Sequence, residues 1–418
     1  MDGVRAMAAH IGLYAKALAK WLILAVFVGA VCGGVGAAFH IGVHEATALR
    51  GRFPWLLWCL PLAGVGIVGF YKLTHTEGQG TNDIIDEVRS GTGLSIWLLP
   101  AIFLGTMLTH LCGGSAGREG AALQMGGTIG YHAGRLFRMD DQDLRVATMS
   151  GMAAFFSALF GTPLAATVFA IVVISVGVMY HAALIPCLTA ALTAYGVSLW
   201  MGVEPTRFTV EMPALEAGML IRVAVLAALC ALVSAVFCGV LHVAERQMRR
   251  YLPNPWLRAA VGGAAVIALT FLCGVTDYNG AGMEVITAAV EQGRCRPEAF
   301  LWKIVFTALT LSAGFKGGEI VPTLCVGAAF GCAFGQITGF APSLCAACSM
   351  AALFAGVTNC PISSLVIALE LFGYEGMEYF SIAIAVAFAL SGYYGLYASQ
   401  KFVYSKTKTE FINRKSNK

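Results

Sequence analysis

Uncharged or nearly uncharged stretches recur along the chain, at Trp21–His40, Trp55–Tyr71, Ile96–Cys112, Val146–Cys187, Met219–Val243, Ala260–Cys273, Val321–Ser343 and Ser381–Tyr397. Several reach the roughly twenty residues that a helix needs to cross about 30 Å of hydrocarbon. Others are shorter and interrupted by glycine, which suits helices that enter half-way and end inside the protein. The pattern predicts an all-α, multi-pass membrane protein with discontinuous helices.

Composition agrees: 58% of the residues are hydrophobic, 12% are charged, and the mean hydropathy is +0.75. No soluble core needs that much apolar sequence. The 49 glycines are unfavourable in ordinary helices but allow membrane helices to pack backbone to backbone. Basic residues gather in the Lys16 and Lys20 flank, in a linker at Glu245–Arg258, and in a tail from Lys401 to Lys418. The positive-inside rule then expects both termini in the cytoplasm of a cell whose inner membrane holds the chain. That arrangement requires an even number of crossings. The run after Lys20 is read as a retained helix rather than a signal peptide.

The chain repeats itself. Gly117-Arg118-Glu119 aligns with Gly317-Gly318-Glu319, and after one inserted residue the register continues through Leu123/Leu324, Gly126/Gly327 and Gly130/Gly331. Further on, Met152-Ala153-Ala154-Phe155-Phe156 matches Met350-Ala351-Ala352-Leu353-Phe354, and the same offset pairs Pro163 with Pro361 and Ala170 with Ala368. Two repeats of inverted topology, each with an odd number of crossings, satisfy the even total. The expected organisation is an N-terminal membrane repeat over 1–210, a C-terminal repeat over 211–400 and a short basic cytoplasmic tail over 401–418.

A carboxylate at the bilayer centre costs about 2.5–3.5 kcal/mol on insertion scales, so Glu119 and Glu319 at matching repeat positions point to one shared functional site. Both lie at Gly-rich junctions, 113–120 and 314–322, and a third junction covers 77–82; each precedes an expected helix start. Glycines let the backbone turn so that free amides project, and a helix N-terminus adds about half a positive charge. Converging ends of this kind bind a small anion without a full cationic side chain. A carboxylate there competes for the same amides and withdraws when protonated. This gives Glu119 the role of gate and proton carrier.

Other motifs carry less. The 13 cysteines are scattered through apolar segments, as small packing residues are, and Cys345-x-x-Cys348 lacks a second pair or a nearby histidine. Neither a metal nor a cofactor is expected. Gly113-Gly114-Ser115-Ala116-Gly117 matches a hydrolase nucleophile pattern, but that pattern needs a strand before it, and Ala101–Cys112 reads as a membrane helix. No enzyme is expected. Glu370 ends an apolar helix and reads as structural. Arg118 and Glu119 are expected to point apart, as neighbours on a helix do, with Arg118 and Lys316 lending positive potential.

These motifs resemble the CLC family of anion channels and anion/proton antiporters, over nearly the whole chain from about Trp21 to Gln400. Gly117-Arg118-Glu119-Gly120 is similar to the family's gating-glutamate motif, and Gly395-Leu396-Tyr397-Ala398 to the segment whose tyrosine touches the central anion. Met152–Phe155 with Pro163, and Asn359-Cys360-Pro361-Ile362, match as well. The resemblance implies a CLC-type fold, a homodimer with one pathway per subunit, and an anion site with backbone amides at Gly78, Gly80, Gly117, Arg118, Gly120 and Ile320.

Departures narrow the resemblance. Gly78-Gln79-Gly80-Thr81-Asn82 stands where chloride-type members carry Gly-Ser-Gly-Ile-Pro, so Gln79 replaces the coordinating serine. Ala121 follows Gly120 where many members have proline, and Gly318-Glu319-Ile320-Val321-Pro322 stands for Gly-x-Phe-x-Pro. The internal proton-transfer glutamate expected near Phe169–Val173 is missing. These deviations resemble the fluoride/proton antiporter branch, with its Gly-Gly-Glu filter. Fluoride is the strongest hydrogen-bond acceptor among the halides, and Gln79, Thr81, Tyr397 and a protonated Glu119 or Glu319 would supply donors. The expected activity is fluoride export in exchange for protons, with a chloride/proton antiporter or passive anion channel as the alternative.

Overall fold

The computed structural model describes residues 2–416, and of residues 2–11 and 13 the backbone alone. Asn417 and Lys418, the end of the expected tail, lie outside the described residues. The helices are α1 (Asp2–Arg52), α2 (Leu60–Leu73), α3 (Thr81–Ser90), α4 (Leu98–Leu111), α5 (Glu119–Leu136), α6 (Asp141–Phe160), α7 (Pro163–Val172) and α8 (Leu184–Trp200) in the first half. In the second half come α9 (Ala217–Tyr251), α10 (Pro255–Cys273), α11 (Met283–Glu291), α12 (Ala299–Ser312), α13 (Ile320–Thr338), α14 (Pro342–Thr358), α15 (Pro361–Phe372) and α16 (Met377–Leu390). An irregular connection over 201–216 joins the halves. Among the described residues, six helices are long and apolar enough to cross a membrane, and six shorter apolar helices accompany them.

Helix boundaries follow local chemistry. The apolar run Val146–Cys187 is not one helix: α6 closes on Gly161 in the left-handed conformation at φ +70°, and Pro163 opens α7. In the second half α14 closes on Asn359 at φ +59° and Pro361 opens α15. Gly161 and Asn359 differ by 198 positions, as do Pro163 and Pro361. The α7 N-terminus has an acceptor from across the halves, since the Glu370 carboxylate receives the amides of Leu164 (3.1 Å) and Ala165 (2.8 Å).

Glycines set how closely the helices approach. α5 lies against α6, and α13 against α14, in the most extensive helix pairs of the chain. A Cβ on Gly126 would stand 2.2 Å from the Gly151 carbonyl oxygen, and one on Gly130 2.1 Å from that of Ala147. In the second pair, Gly327 faces the Ser349 carbonyl at 2.8 Å and Gly331 that of Cys345 at 2.1 Å. Each glycine and its partner are displaced by the same offsets that align the two sequences. Both pairs are antiparallel, packed at backbone contact where no methyl group fits.

One expectation needs correction. The basic segment Glu245–Arg258 is largely helical rather than a linker: α9 continues to Tyr251, helped by the Glu245–Arg249 pair at 2.8 Å, and Asn254 caps α10 by accepting the Trp256 amide at 2.9 Å. The expected tail holds two strands. Its strands β2 (Lys401–Tyr404) and β3 (Phe411–Lys415) pair antiparallel, and β2 runs parallel to β1 (Ser175–Val176) just after α7.

Candidate functional site

The loops before α5 and α13 meet inside the protein. Gly117 N donates to Gly318 O at 2.7 Å and Gly318 N donates to Gly117 O at 2.8 Å, an antiparallel bridge between equivalent junctions. A side chain at either position would collide, since a Cβ on Gly318 would lie 2.3 Å from Gly120 N. The bridge therefore fixes the two helix N-termini against each other, and with them the acids that open the helices.

Glu119, the first residue of α5, is fully buried. Its Oε2 accepts the Arg118 amide at 2.9 Å and the Val321 amide at 3.4 Å, so one carboxylate oxygen sits on a backbone donor from each half. Its Oε1 has no hydrogen-bond partner and lies 3.7 Å from Arg118 Nε. Glu319 stands at the N-cap position of α13, where its side chain makes no capping hydrogen bond, and is half-buried. Its Oε2 lies 3.5 Å from where a Cβ on Gly120 would stand, beside the first turn of α5. The two repeat acids therefore share one location.

A cavity of about 700 Å³ leads to this point. Its mouth carries Arg246, Arg249 and Arg258, together with Glu77 and Glu245. Deeper inside, the wall is made by Gln79, Thr81, Gln124, Lys316, Glu319 and Tyr397. Glu119 is not on this wall; it lies buried behind it. Several wall groups have unmet hydrogen-bonding capacity: Tyr397 Oη, Tyr71 Oη, Gln79 Oε1 and Gln124 Oε1 are enclosed without partners. Lys316 Nζ stands 4.0 Å from the centroid of the Tyr71 ring. Buried polar groups left unpaired are costly, so their concentration on one cavity marks a place for a polar guest.

The expected residues fare unequally as backbone donors. Arg118 N does point at a carboxylate, and Gly78 lines the cavity at φ +78°. The Gly80 amide, however, is taken by Asp83 Oδ2 at 2.7 Å, and the Gly117 amide by the bridge. In the second half the donor to Glu119 is Val321, one residue beyond Ile320. Gly120 N faces the backbone of Gly318. Arg118 and Glu119 do not point apart: Arg118 is the cap rather than a helical residue, and the glutamate folds back toward it.

Ser115 follows helix α4 rather than a strand, and its hydroxyl is fully buried against Thr307 at 3.1 Å. Cys345 and Cys348 lie inside α14. Gln124 and Tyr71 were not anticipated. An amide five residues past Glu119, within an otherwise glycine-rich apolar helix, was the available signal for Gln124; nothing set Tyr71 apart from other aromatic residues near the end of an apolar run.

Paired helix N-termini carrying two acids, beside a polar cavity inside an apolar helical body, belong to an integral membrane protein. The family model for voltage gated chloride channels matches residues 67–392. A chloride/fluoride channel protein of Pseudomonas syringae pv. tomato is 32% identical over 398 residues, covering 93% of this chain and 88% of that protein. The H(+)/Cl(-) exchange transporter ClcA of Vibrio campbellii is 26% identical over 393 residues, covering 84% and 81%. The crystal structure of a CLC-type fluoride/proton antiporter superposes with a TM-score of 0.88 at 32% identity, covering 92% of this chain and 98% of that one. A slow cyanobacterial Cl−/H+ antiporter shares the fold, with a TM-score of 0.77 at 20% identity over 89% and 94%. The chain belongs to the voltage gated chloride channel, or CLC, family.

Proposed function

We propose that this protein is a fluoride/proton antiporter that exports fluoride in exchange for inward protons. The observation that carries the reading is the Glu119 carboxylate resting on the amides of Arg118 and Val321, beside a second acid, Glu319, that faces the cavity. An anion arriving at those amides must displace the side chain. Ionised, Glu119 holds its place through charge-assisted hydrogen bonds; protonated, it is a poorer acceptor and yields them. Anion and ionised carboxylate thus compete for one set of donors, and the proton on Glu119 decides which of them holds it, which links the two movements.

Fluoride suits the deeper wall because that wall offers polar groups able to donate: the amides of Gln79 and Gln124, the Tyr397 hydroxyl, and Glu319 when protonated. The names of two relatives, a chloride/fluoride channel protein and a fluoride/proton antiporter, support the same substrate. The missing acid near Phe169–Val173 is no obstacle in this scheme. Glu319 lines a cavity that also reaches the arginine mouth, so water supplies its proton without a dedicated internal carboxylate.

We propose that the mouth faces the cytoplasm across the inner membrane, with both termini on that side too, a reading that its arginines support by the positive-inside rule. We further propose a homodimer of subunits that each hold a pathway, made of an N-terminal repeat over 1–210 and a C-terminal repeat over 211–400. The matched glycine contacts of α5 on α6 and α13 on α14 support the duplication. The ClcA relatives favour a second reading, chloride/proton exchange by the same machinery. Anion efflux from proteoliposomes loaded with fluoride or chloride, with external pH recorded, decides between them: fluoride-dependent proton uptake is expected, and chloride-dependent uptake without fluoride flux selects the alternative.

A further inference from the structure

The hydroxyl of Tyr397 has no hydrogen-bond partner, so nothing at its tip sets where it stands. Its location comes from the backbone of 396–400, and that segment is tied down by one side chain in particular. Gln400 is 0% exposed. Its Nε2 donates to Val173 O at 2.9 Å and to Thr358 O at 2.8 Å, its Oε1 accepts from Asn359 Nδ2 at 3.2 Å, and its backbone N donates to Tyr397 O at 3.1 Å. Val173 closes α7 in the first half and Thr358 is the last residue of α14 in the second. Helix ends leave carbonyls without intrahelical partners, and the Gln400 side-chain amide serves one from each half while the residue's backbone N–H holds the tyrosine's own carbonyl.

The neighbouring residue fastens the same segment to the opposite wall. Ser399 N donates to Asn82 Oδ1 at 2.9 Å, Ser399 Oγ donates to Asp86 Oδ2 at 2.6 Å, and Arg89 donates to Ser399 O. All three partners are on α3, whose first residue is Thr81. The tyrosine is therefore held between α3 and the ends of α7 and α14.

We propose that Gln400 is a positioning residue for transport: it sets the distance from the Tyr397 hydroxyl to the Glu319 and Gln79 sides of the cavity, and through it the coupling of anion to proton. The inference rests on the antiport reading. Asparagine is about 1.5 Å shorter, one carbon–carbon bond, and cannot serve both helix carbonyls while its own backbone stays on Tyr397. Methionine keeps the length but removes both donors.

The test uses proteoliposomes of full-length wild type, Gln400→Met, Tyr397→Phe and the double variant, each monodisperse in detergent, with fluoride efflux and proton uptake recorded together. Gln400→Met is expected to raise the fluoride KM roughly fivefold and to lower the proton-to-fluoride ratio. In the Tyr397→Phe background it should add no more than about twofold, because both changes act through one hydroxyl. An unchanged KM and ratio, or effects that multiply in the double variant, would overturn the inference. If Gln400→Met does not fold, Ser399→Ala loosens the segment from its other side and is read by the same outcomes. A wild type that fails to exchange fluoride for protons sinks the antiport reading instead, so the two failures are separable.

Discussion

Gly117 and Gly318 exchange two backbone hydrogen bonds, at 2.7 and 2.8 Å, across the interface of the two halves. The pairing brings Glu119 and Glu319 to one place although 200 positions separate them in the chain. A Cβ on Gly318 would stand 2.3 Å from Gly120 N, so Gly318→Ala must push the junctions apart. We expect it to lose about 1–3 kcal/mol of stability, the usual cost of overpacking, and to uncouple transport. Melting in detergent and proteoliposome flux check both; normal coupling would show that the junctions tolerate separation.

The repeat-matched glycines predict a graded result. Gly331→Ala places a methyl 2.1 Å from the Cys345 carbonyl and should lower the melting temperature clearly, whereas Gly196→Ala in α8 has nothing within 4 Å. The latter should be neutral or stabilising by up to about 1 kcal/mol, since alanine is the better helix former. Equal effects at both sites would remove close packing as the reason for these glycines.

Gln124 sits on the cavity wall with its Oε1 unpaired and its Nε2 3.2 Å from Thr81 Oγ1. Gln124→Leu removes a donor and is expected to weaken fluoride binding by about 1 kcal/mol, roughly fivefold in KM, with folding intact. A KM indistinguishable from wild type would take the amide out of the site.

Glu370 is a different kind of acid. It accepts two amides at the start of α7, so Glu370→Ala should cost about 0.5–2 kcal/mol, as lost caps do, while leaving the proton-to-fluoride ratio unchanged. Stability by thermal melting and the ratio by flux separate these; a changed ratio would place the residue on the transport path.

Much of this was legible in the sequence because duplication and glycine leave marks that do not depend on distant contacts. The apolar runs predicted a helical membrane protein, and the three Gly-rich junctions did precede α3, α5 and α13. What escaped the sequence depends on three-dimensional arrangement. The Gly80 and Gly117 amides were free donors in sequence terms, and only folding gives them to Asp83 and Gly318. Glu245 to Arg258 reads as a polar linker because charge suggests loops, yet arginine and glutamate are good helix formers: α9 runs through Glu245–Arg250 to Tyr251, and Arg258 lies in α10. Gln400 had no motif, since its partners are carbonyls at 173 and 358.

The proposed antiport requires Glu119 to give its place to the anion when it takes up a proton. Simultaneous recording of fluoride efflux and proton uptake in proteoliposomes, wild type against Glu119→Gln, tests it most directly, because glutamine keeps the shape but cannot titrate. Coupled movement of both ions is expected in the wild type, and no fluoride-driven proton uptake in the variant. Proton uptake in Glu119→Gln equal to the wild type would contradict it.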